Sequence, residues 1–144
     1  RYNTFRFFTI YGPLGRPDMF IHKLLNSISK NKQISLYNNG LNYRDFTYID
    51  DVLKIFERTI KFTPKNKVLN ICRSKPVKTT ELVKLIEKIY GKKVNKKLFG
   101  VVKGEMFKTH GSNKLLKSNF KNIRFTDIEH GIKKTISTFK KFGY

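Results

Sequence analysis

The sequence has very little cysteine and no long hydrophobic run, and each shortage narrows the possible settings of the protein. Cys72 is the only cysteine in 144 residues, so no internal disulfide can form and a reducing, cytoplasmic compartment is expected. No apolar run approaches the roughly 20 residues that are needed to span a bilayer. The first residues lack an initiator methionine and the pattern of a secretory leader. We therefore expect one domain, residues 1–144, that is a piece of a longer protein without a membrane span.

Clusters of metal-ligating residues are also lacking. His22, His110 and His130 are far apart and have no ligand spacing, so no metal site is expected. Cys72 ends an apolar, strand-like run, and we expect it to be an inert, buried small hydrophobe.

Acidic residues are scarce, at 10 against 31 basic ones, and the formal net charge is +21. Such a charge suits a nucleic-acid partner. However, the lysines are spread along the whole chain, and the aromatic residues fall at strand-like and helix-core positions rather than among a run of arginines. No nucleic-acid partner is expected, and a basic nucleic-acid-binding module is kept as the alternative from another functional class.

Strand-like and helix-like segments alternate along the chain, which predicts the α/β class. One predicted strand is Phe5–Tyr11, a buried run that ends at Gly12-Pro13, and short buried strands are also expected at 34–37 and 67–72. Apolar residues at helical spacing predict three helices, and Thr79 or Thr80 is expected to cap the second of them before it ends at Gly91. The residues of these three apolar faces are Phe20, Ile21, Leu24, Leu25 and Ile28; Leu82, Leu85, Ile86, Ile89 and Tyr90; and Ile128, Ile132, Ile136 and Phe139.

The stretch from Tyr43 to Asp51 alternates as a short strand does and then enters a further helix, for which Asp50 is the expected N-cap. Arg44 therefore lies on a strand just before a helix begins, where a guanidinium can hold a phosphate oxygen. The alternative is that Arg44 is a structural partner of Asp45.

Four motifs occur in a fixed order: Arg6–Pro13, Gly15–Met19, Ile34–Gly40 and Arg44–Asp51. Together they resemble the C-terminal half of the NAD-dependent nucleotide-sugar epimerases and dehydratases, a branch of the extended short-chain dehydrogenase/reductase superfamily. Within it they are most similar to the UDP-glucuronate 4-epimerases. The resemblance implies the last strands of a Rossmann-type sheet plus a small α/β substrate-binding domain. Strands in residues 1–19 and 67–73 would join the rest of the Rossmann domain.

The resemblance also implies roles for individual residues. Arg44 would bind the diphosphate, Tyr37 would stack on uracil, and Thr9 would hydrogen-bond the UDP-sugar. Arg16 would meet either the diphosphate or a uronate carboxylate. Two of these positions have structural alternatives, because Tyr37 could be a core aromatic and Thr9 could cap its own loop.

The same resemblance places Tyr11, Gly12 and Pro13 near the nicotinamide of NAD, where glycine lets the backbone approach closely. The chain departs from the family later on, where relatives have Pro-Gly-Asp and an aspartate. Here Glu105 and Ser112 stand at the acidic positions, so Lys103 is expected to supply a phosphate contact instead.

Two motifs of the superfamily are absent. No glycine triplet for a dinucleotide turn occurs, and none of the seven tyrosines has a lysine four residues later. No catalytic residue is therefore assigned, and the chain alone is expected to be inactive. As part of a longer enzyme with an N-terminal Rossmann half, it is expected to bind a UDP-sugar for 4-epimerisation between UDP-glucuronate and UDP-galacturonate, and a dimer is conceivable for the whole enzyme. The alternatives are a nucleotide-sugar 4,6-dehydratase, another epimerase, or a non-catalytic sugar-nucleotide binding protein.

Overall fold

The computed structural model describes residues 2–62 and 68–142, and these residues form eight short strands, five α-helices and a 3-10 helix at Tyr37–Gly40. The predicted alternation of strands and helices is confirmed. The elements are, in chain order, β1 Thr4–Phe7, β2 Thr9–Tyr11, α1 Phe20–Ser29, β3 Gln33–Leu36, β4 Tyr43–Arg44, β5 Phe46–Tyr48, α2 Ile49–Lys61, β6 Val68–Ile71, β7 Val77–Lys78, α3 Thr79–Tyr90, β8 Asn95–Leu98, α4 Lys114–Asn119 and α5 Ile128–Phe142.

The strands pair two by two. The pairs β1–β6, β2–β5 and β3–β8 are parallel, and β4–β7 is antiparallel. Sequence separation is large in every pair, as expected when helices connect parallel strands. The predicted strand at 67–72 corresponds to β6, although residue 67 lies outside the described residues.

The predicted single strand Phe5–Tyr11 is wrong, because it is divided at Phe8. Before that residue the chain pairs with β6, and the Phe8 N–H still donates to the Ile71 carbonyl. One residue later the Thr9 N–H donates to the Asp45 carbonyl, so the chain changes its neighbour from β6 to β5. The first part is not buried either. Phe7 is 47% exposed, since among the described strands β1 pairs with β6 alone.

The stretch Tyr43–Tyr48 is also two strands rather than one. The break falls at Asp45, where β4, which pairs with β7, gives way to β5, which pairs with β2. All three residues of β5 are buried, so its two faces are both covered, as is usual for parallel strands. The predicted alternation of an inner and an outer face therefore does not apply to β5.

Two helix starts differ from the prediction. Helix α2 begins at Ile49 after Tyr48, so Asp50 is not its N-cap but lies in its first turn, where a negative charge is favoured by the helix dipole. Helix α3 begins at Thr79 after Lys78, so neither Thr79 nor Thr80 is the cap. In both cases the helix follows its strand without a linker, so the last strand residue, Tyr48 or Lys78, occupies the N-cap position. The predicted end of α3 is confirmed, since Gly91 is left-handed with φ of 84°.

The apolar helix faces build two adjoining cores. The larger one joins α1, α3 and α5 to strands β2, β3 and β5, and the smaller one lies between α2, α4 and β6. The faces predicted for α1, α3 and α5 are those that enter the larger core. Together they fix the positions of α1 and β3 relative to β5.

Candidate functional site

A cleft of about 630 Å³ lies among residues of α1, β3, β4 and β5. Its walls combine polar side chains with apolar ones. They carry two basic groups, Lys23 and Arg44, and two acidic groups, Asp18 and Glu105. The other lining residues are Thr9, Pro17, Met19, Phe20, Asn26, Ser27, Gln33, Ile34, Ser35, Leu36, Tyr37, Asn42, Phe46 and Thr79. Three of the four predicted substrate-binding residues, Thr9, Tyr37 and Arg44, are thus brought together.

Arg44 is held firmly at this cleft. Its Nη2 donates to Glu105 Oε1 at 2.5 Å, and its Nη1 donates to the carbonyl oxygens of Tyr43, at 2.9 Å, and Phe107, at 3.5 Å. The alternative that Arg44 pairs with Asp45 is wrong. The Asp45 side chain is fully buried and points elsewhere, because its Oδ2 accepts the N–H groups of Ser74 and Gly111. A guanidinium has five N–H donors, so two remain for a ligand in the part of the chain that the structure describes.

Tyr37 follows β3 directly and is 49% exposed, so the alternative of a core aromatic is wrong. Its ring lies 5.6 Å from that of Phe99 with an interplanar angle of 35°. The turn after it is unusual, since Asn38 and Asn39 both have positive φ, at 49° and 52°. Asparagine tolerates this conformation better than most residues. The turn leaves the Tyr37 ring braced on one side and accessible from the cleft.

Thr9 is the first residue of β2 and is half-buried at the cleft. Its N–H donates to the Asp45 carbonyl at 3.1 Å. Thr9 is therefore a strand residue, and the alternative that it caps its own loop is wrong.

Arg16 lies beside the cleft rather than in its lining. It forms a two-pronged pair with Asp18, at 3.0 and 2.5 Å, in which the side chains are 76% and 56% exposed. The hydrogen bond from Arg16 lowers the pKa of Asp18. A small hollow of about 30 Å³ contacts Arg16 and shares Thr9, Met19, Phe20 and Phe46 with the cleft. Arg16 is thus next to the cleft, on an exposed loop.

The three residues predicted to contact NAD lie where β2 ends. Tyr11 is buried, and its hydroxyl donates weakly to the Ile128 carbonyl at 3.4 Å. Burial raises the pKa of Tyr11 well above its usual value. A Cβ at Gly12 would overlap with the Ile49 side chain, so tight packing already requires glycine there. Pro13 is half-exposed. Tyr11 and Gly12 thus have packing roles, and a cofactor-binding role for the three residues stays a prediction.

His22 is a residue whose role the sequence did not reveal. It is buried in α1, and its Nε2 lies 3.0 Å from the Gly15 N–H, which donates to it, and 3.1 Å from the Gly12 carbonyl oxygen. A Cβ at Gly15 would come within 2.6 Å of the same nitrogen. His22 therefore braces the turn before Arg16. In the sequence His22 stands seven residues after Gly15 and ten after Gly12. Such spacing does not indicate a hydrogen bond, so the contact could not be predicted.

The loop after β8 differs from the prediction in one respect. Lys103 is exposed and is not among the residues that line the cleft, whereas Glu105 is. Ser112 Oγ accepts from the Lys114 N–H at the start of α4. Of the two positions at which the chain departs from the family, Glu105 is the one that reaches Arg44.

Other chemistry is absent from the described residues. No group of three or more metal-ligating side chains occurs in residues 2–62 and 68–142. None of the helices described is long and apolar enough to cross a membrane. Cys72 is buried as predicted, and burial raises the pKa of its thiol.

Comparison with known proteins gives three consistent likenesses. A model of the NAD dependent epimerase/dehydratase family matches residues 1–72. An uncharacterised protein of Methanocaldococcus jannaschii is 40% identical over 138 residues, which cover 93% of this chain and 41% of that protein. A UDP-glucuronate 4-epimerase of Thermodesulfobacterium geofontis is 30% identical over 138 residues, covering 94% of this chain and 42% of the enzyme.

A solved structure extends the likeness to the fold. The UDP-glucuronic acid 4-epimerase of Bacillus cereus, in complex with UDP-glucuronic acid and NAD, superimposes with a TM-score of 0.86 at 26% identity. The match covers 96% of this chain and 45% of that enzyme. The chain thus spans less than half the length of each of these relatives.

Proposed function

Because the chain belongs to the NAD-dependent epimerase/dehydratase family, we propose that it is the UDP-sugar-binding part of a nucleotide-sugar 4-epimerase, with UDP-glucuronate as substrate. The observation that carries the proposal is the cleft, in which an exposed aromatic ring and a braced arginine face the same space. A UDP-sugar has one flat ring that can stack, the uracil, and one negatively charged diphosphate, and these two groups need an aromatic and a cationic partner.

Four of the lining residues each take a part of the ligand in this proposal. Tyr37, supported by Phe99, stacks on the uracil ring. Arg44 directs its two remaining N–H donors at the diphosphate, and Lys23 adds a second positive charge to the same cleft. The Thr9 hydroxyl hydrogen-bonds the sugar. Thr9 and Arg44 lie on strands and Lys23 lies on a helix, and such elements hold a geometry better than loops do.

The sugar end of the cleft accounts for the choice of the uronate. Asp18 lines the cleft and Arg16 lies beside it on the same loop, and their pair is exposed to water. An exposed pair of this kind is worth little in free energy, so a sugar carboxylate can replace Asp18 as the partner of Arg16. UDP-glucose offers no such anion. Relatives of this chain include UDP-glucuronate 4-epimerases of bacteria and of Arabidopsis thaliana.

NAD would supply the hydride acceptor at the sugar C4. Of the described residues, we assign contact with NAD to Tyr11, Gly12 and Pro13, and the first two also have packing roles. The Gly-rich turn that holds a dinucleotide and the tyrosine–lysine pair that takes up a proton are absent from these residues. We therefore assign binding and orientation of the sugar nucleotide to this chain, and assume that an N-terminal Rossmann half provides the rest.

The division of labour is tested directly by an assay of residues 1–144 alone. With NAD and UDP-glucuronate added, no UDP-galacturonate should form above a protein-free blank. Turnover above the blank would mean that the chemistry lies in residues to which we assign binding or packing.

Nucleotide binding is tested by calorimetry with UDP in the full-length protein that carries this sequence. Arg44→Ala should weaken UDP binding about ten- to a hundredfold, since hydrogen bonds to charged groups are worth about 1.5–3 kcal/mol. Arg58→Ala is the matched control. Arg58 donates to the Lys121 carbonyl, away from the cleft, and its loss should leave the affinity unchanged. If the wild-type protein does not bind UDP, or if Arg44→Ala binds as well as the wild type, the proposal is wrong.

A further inference from the structure

A continuous chain of hydrogen bonds between side chains leads from the turn after Tyr37 to Arg44. The Val102 N–H donates to Asn38 Oδ1 at 3.1 Å, and Asn38 Nδ2 donates to Asn42 Oδ1 at 2.7 Å. Asn42 Nδ2 then donates to Glu105 Oε1 at 3.4 Å, and the same oxygen accepts from Arg44 Nη2 at 2.5 Å.

The direction of this chain is determined at its first bond. A backbone N–H can only donate, so the Val102 group requires the oxygen of Asn38 to face it. The Asn38 nitrogen must then face Asn42, which in turn presents its oxygen to Asn38 and its nitrogen to Glu105. A carboxylate can only accept, so the last bond agrees with the first. Reversing either amide would place donor against donor or acceptor against acceptor.

The two asparagines are well suited to transmit position. Asn38 and Asn42 are 8% and 6% exposed, so water does not readily replace their partners. The Asn42 carbonyl accepts both the N–H and the hydroxyl of Thr79, at 2.8 and 3.0 Å. Asn38 is fixed by its own N–H, which donates to the Gly100 carbonyl at 3.1 Å. Glu105, by contrast, sits on a loop and has an exposed side chain, so it depends on these bonds for its place.

We propose that Asn38, Asn42 and Glu105 are positioning residues that set the guanidinium of Arg44 for the diphosphate and link it to the turn that carries Tyr37. This inference rests on the proposed UDP site. Glu105 takes up one N–H of Arg44 and fixes the plane of the guanidinium, so that its remaining donors are aimed before the ligand arrives. Preorganisation of this kind increases affinity because less freedom is lost on binding.

The sign of one mutational effect separates this proposal from simple electrostatics. Removing a carboxylate beside a phosphate-binding arginine should strengthen binding of an anion if charge alone matters. If Glu105 positions Arg44, Glu105→Ala should instead weaken UDP binding about three- to tenfold, the size of one ordinary hydrogen bond. Asp18→Ala is the matched control, since Asp18 is the other carboxylate in the cleft lining. Asp18→Ala removes a negative charge from the same cleft without breaking a bond to Arg44, so it should strengthen UDP binding.

A double-mutant cycle tests the asparagine link. Asn42→Asp keeps the shape and the acceptor for Asn38 but sets a carboxylate against Glu105, so it should weaken UDP binding about tenfold. In a Glu105→Gln background the new carboxylate meets an amide that can donate to it, and Asn42→Asp should then cost less than about twofold. A loss through misfolding or through added negative charge would be the same in both backgrounds.

The outcomes distinguish the two proposals. If the wild type fails to bind UDP, the UDP site itself is wrong. If Arg44→Ala weakens binding while Glu105→Ala strengthens it, the UDP site stands and the positioning role is overturned. Equal losses for Asn42→Asp in both backgrounds would likewise overturn the link. Glu105 is exposed, so the Glu105→Ala result remains decisive even if the Asn42 variant does not fold, which a thermal unfolding curve would show.

Discussion

Two arginine–carboxylate pairs lie at one cleft, and they are built differently. In the Arg44–Glu105 pair the side chains are 22% and 36% exposed, and two carbonyl oxygens also accept from the arginine. In the Arg16–Asp18 pair they are 76% and 56% exposed, and both residues come from one loop two positions apart. The braced pair joins residues 61 positions apart. Under the proposed function, the Arg44–Glu105 pair would serve the diphosphate that all UDP-sugars share. The Arg16–Asp18 pair would respond to the carboxylate that only uronates carry.

The surroundings of the two pairs follow the same contrast. Asp45, next to Arg44, ties β5 to two distant segments through the N–H groups of Ser74 and Gly111. The loop of Arg16 is held by His22, whose Nε2 lies within hydrogen-bond distance of the Gly15 nitrogen and the Gly12 carbonyl oxygen. The Arg44 side of the cleft is thus held by more contacts than the Arg16 side, and substitutions on the two sides should differ in their effects.

The largest effect should come from a substitution next to the Arg44–Glu105 pair, at Asp45. Asp45→Ala leaves the buried Gly111 N–H and the partly buried Ser74 N–H without an acceptor, and each such loss costs about 1–3 kcal/mol. The free energy of unfolding should therefore fall by about 2–6 kcal/mol, as measured by urea denaturation. Asp45→Asn, which keeps an acceptor, should lose less, and Asp18→Ala on the exposed loop should leave the unfolding midpoint within experimental error. Equal effects of the Asp45 and Asp18 alanine variants would remove the contrast between the two sides.

A somewhat smaller effect should come from the aromatic end of the braced side. Tyr37→Ala should weaken UDP binding about five- to a hundredfold, because stacking of a base on an aromatic ring is worth about 1–3 kcal/mol. Tyr37→Phe keeps the ring and should bind UDP as the wild type does. Calorimetry with UDP measures the affinity of both variants. An unchanged affinity of the Tyr37→Ala variant would mean that uracil does not contact Tyr37.

On the exposed side the effect should be smaller and selective. In the full-length enzyme, Arg16→Leu should lower kcat/KM for UDP-glucuronate about tenfold, the size of one charge-assisted hydrogen bond. UDP-glucose has no carboxylate for Arg16 to bind, and the exposed Arg16–Asp18 pair is itself worth little. The kcat/KM for UDP-glucose should therefore change less than about twofold. Equal losses for both substrates would place Arg16 on the diphosphate and remove the reason for choosing the uronate.

The smallest effect concerns the charged surface outside the cleft. With a net charge of +21, the chain should bind single-stranded RNA weakly, and that binding should disappear as salt is added. UDP binding should persist, because it depends on a partly desolvated site. Tight RNA binding at moderate salt that UDP cannot displace would favour a nucleic-acid-binding module instead.

Much of the architecture could be read from the sequence. The apolar periods of α1, α3 and α5, the left-handed Gly91 and the α/β alternation were all predicted, because each depends on residues close together in the chain. The order of the four motifs was enough to identify the family and the C-terminal part of the fold, both of which are confirmed. Thr9, Tyr37 and Arg44 also meet at one cleft as the resemblance implied, although their roles remain predictions.

The partners of these residues were decided only by the tertiary structure. Local pattern shows that a side chain needs an acceptor, but not which of several carboxylates will supply it. Arg44 has Asp45 beside it in sequence, yet the strand geometry turns Asp45 inward and brings Glu105 from a distant loop. The breaks at Phe8 and Asp45 have the same cause, since a strand ends where its neighbour changes. Packing over long sequence distances chooses the partners, and so the sequence determined which groups the cleft contains while the fold decided how they are held.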